Sequence, residues 1–227
     1  METTLHRQLK QIYAGDGERT EVCLEGYRID AVTQDQLVEI QLSSLAAIRR
    51  KIARLLDRHR VLVVKPIVVR KQLIKRRTEG GRVVNRRASP KRGTVLDLFG
   101  ELVHFTDVFP HPQLEMQIVL VEIEEWRFPG HGRRRRHRDN DFVVEDQRLL
   151  DIQKVYRLNT ATDLPRLLPV PLPATFNTLD LANALKVDRW IAQQVAYCFC
   201  KTGTSRTVGK TGNTLLYSFN APARAAA

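Results

Sequence analysis

Two carboxylates and an amide stand out because their spacing suits a pair of neighbouring strands. Asp30 lies in the segment 27–32, and Glu39 and Gln41 lie in the next one, at 37–41. If these segments form a hairpin, Asp30 and Glu39 meet near a strand end, and alternation places Glu39 and Gln41 on one face. Mg²⁺ prefers such oxygen ligands, and the carbonyl of Ile40 would add a third oxygen. The pattern therefore predicts a metal that polarises a phosphodiester and supplies a hydroxide-like nucleophile.

The alternative for Asp30 is purely structural, because an aspartate near a turn commonly accepts backbone hydrogen bonds. Glu39 is harder to explain in that way. It lies inside an otherwise apolar strand, and carboxylates are seldom buried there unless they are paired or bound to metal.

Hydrophobic patterning predicts the elements that position these residues, in the order helix, three strands, helix, strand. The predicted helices cover Thr4–Ala14 and a long stretch from Ser43 or Ser44 to about His59; the predicted strands cover Glu21–Leu24, Tyr27–Val32, Leu37–Gln41 and Val61–Val64, with Ile67–Val69 as an extension. The nearly all-apolar run at Val61 is typical of a strand buried on both faces. These elements predict an α/β fold.

The element order and the Asp-x8-Glu-x-Gln pattern at Asp30, Glu39 and Gln41 resemble the PD-(D/E)XK nuclease superfamily. The serines that follow, in Glu39-Ile-Gln-Leu-Ser-Ser44, and the basic helix after them resemble its competence CoiA-like branch. The resemblance covers about residues 1–69. It implies a restriction-endonuclease-like mixed central sheet with flanking helices, and metal-dependent phosphodiester hydrolysis with Asp30 and Glu39 as ligands of Mg²⁺ or Mn²⁺.

Gln41 departs from the commonest pattern of that superfamily, which has lysine there. Because glutamine carries no positive charge, we expect Gln41 to orient water and Lys51, twelve residues after Glu39, to stabilise charge in its place. Lys65 is the second candidate for that ammonium group. Glu21 is a candidate extra metal ligand, and Glu18 is a weaker one.

Positive charge is concentrated in one part of the chain. Lysine and arginine total 37 against 25 acids, a net charge of +12, and residues 65–92 hold 11 basic residues against the single acid Glu79. Concentrated charge of this sign predicts contacts with phosphates, most simply those of DNA. A second basic run, Arg133–Arg138, follows loop-forming residues, and it is equally well interpreted as a solvated loop.

The basic stretch could contact phosphates next to a predicted hairpin, 71–76 with 82–87, and a predicted helix at Thr94–Val103. A helix N-terminus suits a phosphate, and charge-assisted contacts would come from the preceding residues. The predicted contacts are Arg86, Arg87, Ser89, Lys91 and Arg92. The alternative is a basic loop with no fixed ligand.

The proline-rich segment 166–173 is the best domain boundary, and the residues after it resemble a winged helix-turn-helix domain. Two helices, 178–185 and 189–200, precede strands at 204–208 and 215–219. Predicted DNA contacts are Arg189 and Gln193 on the second helix and Lys210 on the wing. We expect the aromatic side chains of that helix, Trp190, Tyr197 and Phe199, to lie in the core. Many winged helices serve only protein contacts, which is the alternative.

The chain of 227 residues is thus predicted to hold a nuclease-like domain (1–165) with a basic insertion (65–92), a linker (166–173), a winged-helix domain (174–220) and a tail (221–227). Three cysteines and no apolar run near ~18 residues indicate a cytoplasmic protein without a membrane span. A homo-oligomer is compatible with this sequence.

The predicted function is a Mg²⁺-dependent deoxyribonuclease; the alternative is a non-catalytic DNA-binding or regulatory protein on a degenerate nuclease fold. An RNA-directed role is less favoured, because aromatic residues are few and do not alternate with the basic stretch.

Overall fold

The computed structural model describes residues 2–15, 19–130 and 141–220. The basic run Arg133–Arg138 and the weaker ligand candidate Glu18 lie outside these residues, and so does the predicted tail. The described part is a mixed α/β structure in which helices flank a large mixed sheet.

The large sheet has the strand order β1-β2-β3-β4-β6-β7, and β5 pairs with β4. Its strands are β1 (Arg19–Leu24), β2 (Tyr27–Val32), β3 (Leu37–Ile40), β4 (Val61–Arg76), β5 (Val83–Ala88), β6 (Leu114–Pro129) and β7 (Phe142–Leu158). β4 is parallel to both β3 and β6, and the other neighbours are antiparallel. β4 therefore lies at the centre of the sheet, as its apolar start predicts.

Helices cover the two faces of this sheet. α1 (Thr4–Ala14) buries Leu5 and Leu9 in a cluster with Val38 and Val64 on one face. α2 (Arg49–Leu55) and α3 (Asp97–Leu102) bury their apolar sides in a second cluster with Val61 and Val63 on the other. Because successive side chains of β4 point to opposite faces of the sheet, this strand contributes to the hydrophobic cluster on each face.

The single long helix predicted to reach His59 is wrong. A 3-10 helix at Leu45–Ala47, capped by the hydroxyl of Ser44, comes first, and α2 follows it. The amides of Ala47 and Ile48 bond to carbonyls three residues back. Ile48 lies between the two helices, with backbone angles of −100° and −3°. After α2, the amides of Arg58 and His59 both donate to the carbonyl of Leu55, which forms a turn.

A gap in the sheet lies beside β4. Its pairing with β3 ends at Ile40↔Val64, and its pairing with β5 begins only at Gln72↔Ala88. Pro66, which has no N–H to donate, lies in this gap, where that edge of the strand needs no donor.

The C-terminal residues form a second, smaller sheet against two helices. Its order is β8-β10-β9, with β8 at Thr175–Phe176, β9 at Ser205–Thr211 and β10 at Thr214–Phe219. α4 (Thr178–Leu185) and α5 (Arg189–Lys201) lie between β8 and β9 in the chain, close to the predicted positions. No helix within the described ranges is both long and apolar enough to cross a membrane.

This C-terminal segment shares its core with the large sheet. Phe199 of α5 is fully buried and meets the ring of Phe99 of α3 edge-on, with centroids 5.6 Å apart. On its other side it meets Phe219, with centroids 5.7 Å apart. Leu167, inside the predicted linker, is buried in the same cluster. A continuous core therefore spans the predicted boundary.

We expect Phe199→Ala to lower the free energy of unfolding by about 3–5 kcal/mol, because it leaves a cavity at this junction. Since the core is shared, unfolding should remain one cooperative transition when followed in urea by circular dichroism. The control is Val208→Ala on β9, where the side chain is exposed and the expected change is within about 0.5 kcal/mol. Two separate transitions in the native chain would contradict the shared core.

Candidate functional site

The candidate site lies where β2 and β3 stop pairing through their backbones. Val32 pairs with Leu37 and Ala31 with Val38, and Asp30 and Glu39 are the next positions in that register. There, the amide of Ile40 donates to Asp30 Oδ2 at 2.8 Å instead of to a backbone carbonyl. The side chain of Asp30 thus takes over the next hydrogen bond at the point where the strands separate.

Asp30 is held in its ionised form. Burial opposes ionisation, but hydrogen bonds from His6 and from the Ile40 amide outweigh it, and the pKa of Asp30 is lowered. His6 Nε2 lies 3.2 Å from Oδ2, the oxygen that also accepts from Ile40. Asp30 Oδ1 is therefore the oxygen that remains for another ligand.

Glu39 is a buried carboxylate with a cation placed against it. Burial raises its pKa, Lys51 opposes that rise, and the charge of Asp30 adds to it, so the two carboxylates lie within electrostatic reach. Lys51 Nζ donates to Glu39 Oε2 at 2.5 Å and to the carbonyl of Arg28 at 2.5 Å. Lys51 of α2 therefore places its ammonium at the candidate site.

Gln41 and Lys65 are directed elsewhere. The amide nitrogen of Gln41 donates to Ser43 Oγ at 2.8 Å and to the carbonyl of Ser44 at 2.6 Å. Lys65 is buried, which lowers its pKa, and it donates to the carbonyl of Ser43 at 2.5 Å. Both side chains hold the loop after β3, so Lys51 is the lysine whose ammonium contacts Glu39.

Glu21, the candidate extra ligand, is bound by cations. Glu21 has a positive φ of 57°, and β1 and β2 stay in register on both sides of it, at Thr20↔Ala31 and Val22↔Ile29. Its carboxylate accepts from Lys10 at 2.7 Å and from Arg28. Within residues 2–15, 19–130 and 141–220, no three or more His, Cys, Asp or Glu side chains group to hold a metal ion. A metal at this site would therefore rely on Asp30, Glu39, a carbonyl such as that of Ile40, and water.

Sequence reasoning missed the contribution of α1. His6 contacts Asp30, and Lys10, one turn later, is buried and binds Glu21. The available signal was their spacing: His6 and Lys10 directly follow the buried residues Leu5 and Leu9. Polar residues beside the apolar stripe of a helix lie at the rim of its contact with the sheet.

The predicted phosphate contacts lie in different surroundings. Ser89 and Lys91 line a cavity of about 390 Å³ at the gap beside β4, together with Lys65. Arg92 lines a neighbouring cavity of about 250 Å³. Arg87 is exposed.

Arg86 pairs within the protein, as Arg70, Lys71 and Arg76 of the basic stretch also do. It lies over the ring of Trp126 at 5.7 Å and 3.8 Å from a carboxylate oxygen of Glu124. The charge of Arg86 is thus partly used within the protein.

The helix predicted at Thr94–Val103 is shorter in the structure. The helix begins at Asp97, not Thr94, and has six residues. The carboxylate of Asp97 accepts from the amide of Thr94 at 3.1 Å. The side chain of Asp97 thus closes the turn that leads into the helix.

α5 differs from expectation in its aromatic residues. Arg189 and Gln193 are exposed on it, as is Lys210 on β9. Phe199 is buried, but Trp190 is 57% exposed and Tyr197 is 43% exposed, so the expectation that they belong to the core is wrong. Ala192, Val195, Ala196 and Phe199 already fill the inward side of the helix.

Comparison with known proteins gives a family and a relative. The family described as Domain of unknown function (DUF8091) matches residues 3–159. A protein of Treponema pallidum (strain Nichols), named "Uncharacterized protein", is 33% identical over 183 residues, which covers 80% of this chain and 72% of the relative. No solved structure matches.

The lowered pKa of Asp30 predicts a pH-dependent contribution to stability. A carboxyl whose folded pKa is below its unfolded value stabilises the fold above the unfolded pKa, near the ordinary 3.8, and loses this contribution as pH falls through the folded pKa. We therefore expect Asp30→Asn to lower the free energy of unfolding at pH 7, by about 1–3 kcal/mol for a charged hydrogen bond.

The difference between Asp30→Asn and the native chain should shrink as pH falls below 3.8, measured by urea unfolding across pH. Asp35→Asn, at a residue in the turn before β3, is the control. A difference that stays constant with pH would show that Asp30 is not held ionised by its partners.

Proposed function

We propose that this chain, which belongs to the family described as Domain of unknown function (DUF8091), is a metal-dependent deoxyribonuclease acting at Asp30, Glu39 and Lys51. The observation that carries the proposal is the buried carboxylate of Glu39, opposite Asp30 and in contact with the Lys51 ammonium at 2.5 Å. Two carboxylates and a lysine at the point where strands separate are the groups that phosphodiester hydrolysis needs. They are also the groups that the PD-(D/E)XK resemblance implies.

The element order supports that resemblance. α1, β1, β2, β3, α2 and β4 follow one another, β3 and β4 are parallel, and α1 and α2 cover opposite faces. The sheet order β8-β10-β9 around α4 and α5 supports a winged helix in the same way. We propose both as the fold relationships of the chain.

The donor set fits Mg²⁺ or Mn²⁺. Hydrogen bonds from His6 and Ile40 fix Asp30 through Oδ2, and Lys51 fixes Glu39 through Oε2. Mg²⁺ is commonly held by one or two carboxylates and keeps several waters. Bound there, the ion would polarise the phosphate and lower the pKa of a bound water.

The side chains around the carboxylates have separate roles in this proposal. Lys51 supplies the positive charge that Gln41 lacks, close to the developing charge on the phosphate. His6 and the Ile40 amide hold Asp30 ionised and oriented. The amide nitrogen of Gln41 donates to the loop after β3, so its oxygen is the atom that can orient a water.

A second candidate is a DNA-binding protein that does not cut. The same contact between Lys51 and Glu39 favours it, because an ammonium already neutralises the buried carboxylate without a metal. In that case the cluster only stabilises the fold, and the basic surface around Lys91 and Arg92 carries the function.

Cleavage of labelled DNA with Mg²⁺ or Mn²⁺ separates the two candidates. We expect the native chain to cut, and Asp30→Ala or Glu39→Ala to reduce the rate by more than the roughly 10- to 100-fold that loss of a ligand's outer-shell partner costs. Lys51→Ala should cost roughly 100- to 1,000-fold, the usual effect of removing one charge-stabilising group.

The matched control for Lys51→Ala is Lys154→Ala on β7, where the ammonium lies over Tyr156 and the expected rate is that of the native chain. Single-stranded, duplex and branched DNA should be compared. Equal cleavage by the Asp30 and Glu39 variants would exclude this site, and no cleavage with intact DNA binding would select the second candidate.

The basic surface gives a prediction that does not depend on cleavage. Replacing Arg87, Lys91 and Arg92 together by alanine should weaken DNA binding at low salt for all sequences alike, because phosphate contacts carry no base information. The slope of log K against log salt should become less negative by about 0.9 for each phosphate that the variant no longer neutralises. Fluorescence anisotropy measures both quantities. Arg166→Ala, at an exposed arginine paired with Asp163, is the control; an unchanged slope in the triple variant would exclude this surface.

A further inference from the structure

An aromatic stripe lies on the outer side of α5. Trp190 and Tyr197 are seven residues apart, which is nearly two full turns, so they lie on one side of the helix about 10 Å apart along its axis. The exposed residues Gln193 and Lys201 lie on the same side. We name these four residues the α5 stripe.

The exposure of these rings is not explained by contacts within the protein. Trp190 makes one weak hydrogen bond, from Nε1 to Asp188 at 3.4 Å. The ammonium of Lys201 lies 5.9 Å from the ring of Tyr197. Most of the indole and nearly half of the phenol side chain remain open to solvent. Exposed large apolar surface of this kind is typical of an interaction site.

The charges on α5 and on the segments next to it in the chain are mostly positive. Arg189 and Lys201 lie on α5, and Lys186 lies in the turn before it. Arg206 and Lys210 are exposed on β9, a strand that packs against α5. Asp188 is the acidic residue nearest in the chain. A polyanion therefore complements this surface better than a basic or a neutral apolar partner would.

We propose that the α5 stripe stacks the unpaired bases of single-stranded DNA. Every base has an apolar face that stacks on aromatic rings, and flanking cations track the phosphates. In a duplex those faces are hidden in the base stack and only the base edges are accessible. Two exposed rings on one helix, with basic residues on that helix and next to it in the chain, thus match unpaired bases rather than a groove.

The choice of DNA over RNA rests on the proposed nuclease function, but the stacking itself does not. If both hold, the substrate contains a single-stranded segment. Binding at α5 does not use Asp30 or Glu39, so the two proposals can fail independently.

Tryptophan fluorescence tests the proposal directly. The chain has two tryptophans; Trp126 is 9% exposed and lies beneath arginines, whereas Trp190 is open. The full chain carrying Asp30→Asn is titrated in EDTA with oligo(dT), with a blunt hairpin duplex and with oligo(U). We expect oligo(dT) to quench the emission strongly and the duplex weakly, and the Trp190→Ala variant to lose the quenching.

Affinity for oligo(dT), measured by anisotropy, should fall roughly 5- to 100-fold in Trp190→Ala and in Tyr197→Ala, the effect of removing one base stack. Tyr197→Phe keeps the ring and should bind like the native chain. Leu215→Ala, at an exposed side chain on β10, is the control and should bind normally.

Three results would overturn the proposal: unchanged oligo(dT) affinity in both aromatic variants, stronger quenching by duplex than by oligo(dT), or stronger quenching by oligo(U). Unchanged affinity would indicate that the stripe binds a protein. Stronger quenching by duplex would indicate that α5 binds in a groove of double-stranded DNA. Metal-dependent cleavage that persists in Trp190→Ala with unchanged oligo(dT) binding would keep the nuclease proposal and exclude this one.

Discussion

The contact between Lys51 and Glu39 sets the requirements for the surrounding structure. A carboxylate that is 8% exposed is costly to ionise unless a cation and hydrogen bonds compensate for its missing hydration. Lys51 can do so only if α2 packs beside β2 and β3, where it also reaches the carbonyl of Arg28. α2 begins at Arg49, directly after the short 3-10 helix that follows β3. The break in the predicted long helix lies at Ile48, three residues before Lys51.

The gap beside β4 has a related cause. β3 is short and ends at Ile40, so β4 continues without a partner on that side until β5 begins. Lys65 fills part of the opening and holds the loop through the carbonyl of Ser43, while Ser89 and Lys91 line the cavity that remains. The end of β3 therefore positions both the carboxylates and the neighbouring basic surface.

Most of the elements could be predicted from the sequence, because their apolar residues recur with the period of a helix or a strand. The approach of Lys51 to the site followed from its position on the next helix. The spacing along α1 places His6 at the rim of the helix, but its contact with Asp30 could not be predicted, since that depends on how α1 lies across the sheet. The exposure of Trp190 and Tyr197 was missed for a different reason. Aromatic residues occur on both sides of α5. Periodicity shows which residues share a side of the helix, but it does not show which side packs against the rest of the protein.

α3 connects the candidate site to α5. Phe99 of α3 packs on Phe199 of α5, and Glu101 of α3 accepts from the amide of Leu45, at the start of the 3-10 helix that leads to α2. These contacts belong to one continuous core, so α5 is held in a fixed place relative to Lys51 and Glu39. A packed core fixes the two surfaces relative to each other, which a flexible linker would not do. A DNA strand held by α5 would therefore meet Lys51 and Glu39 in a defined orientation. If α5 binds DNA, the shared core determines which part of that DNA can reach the carboxylates.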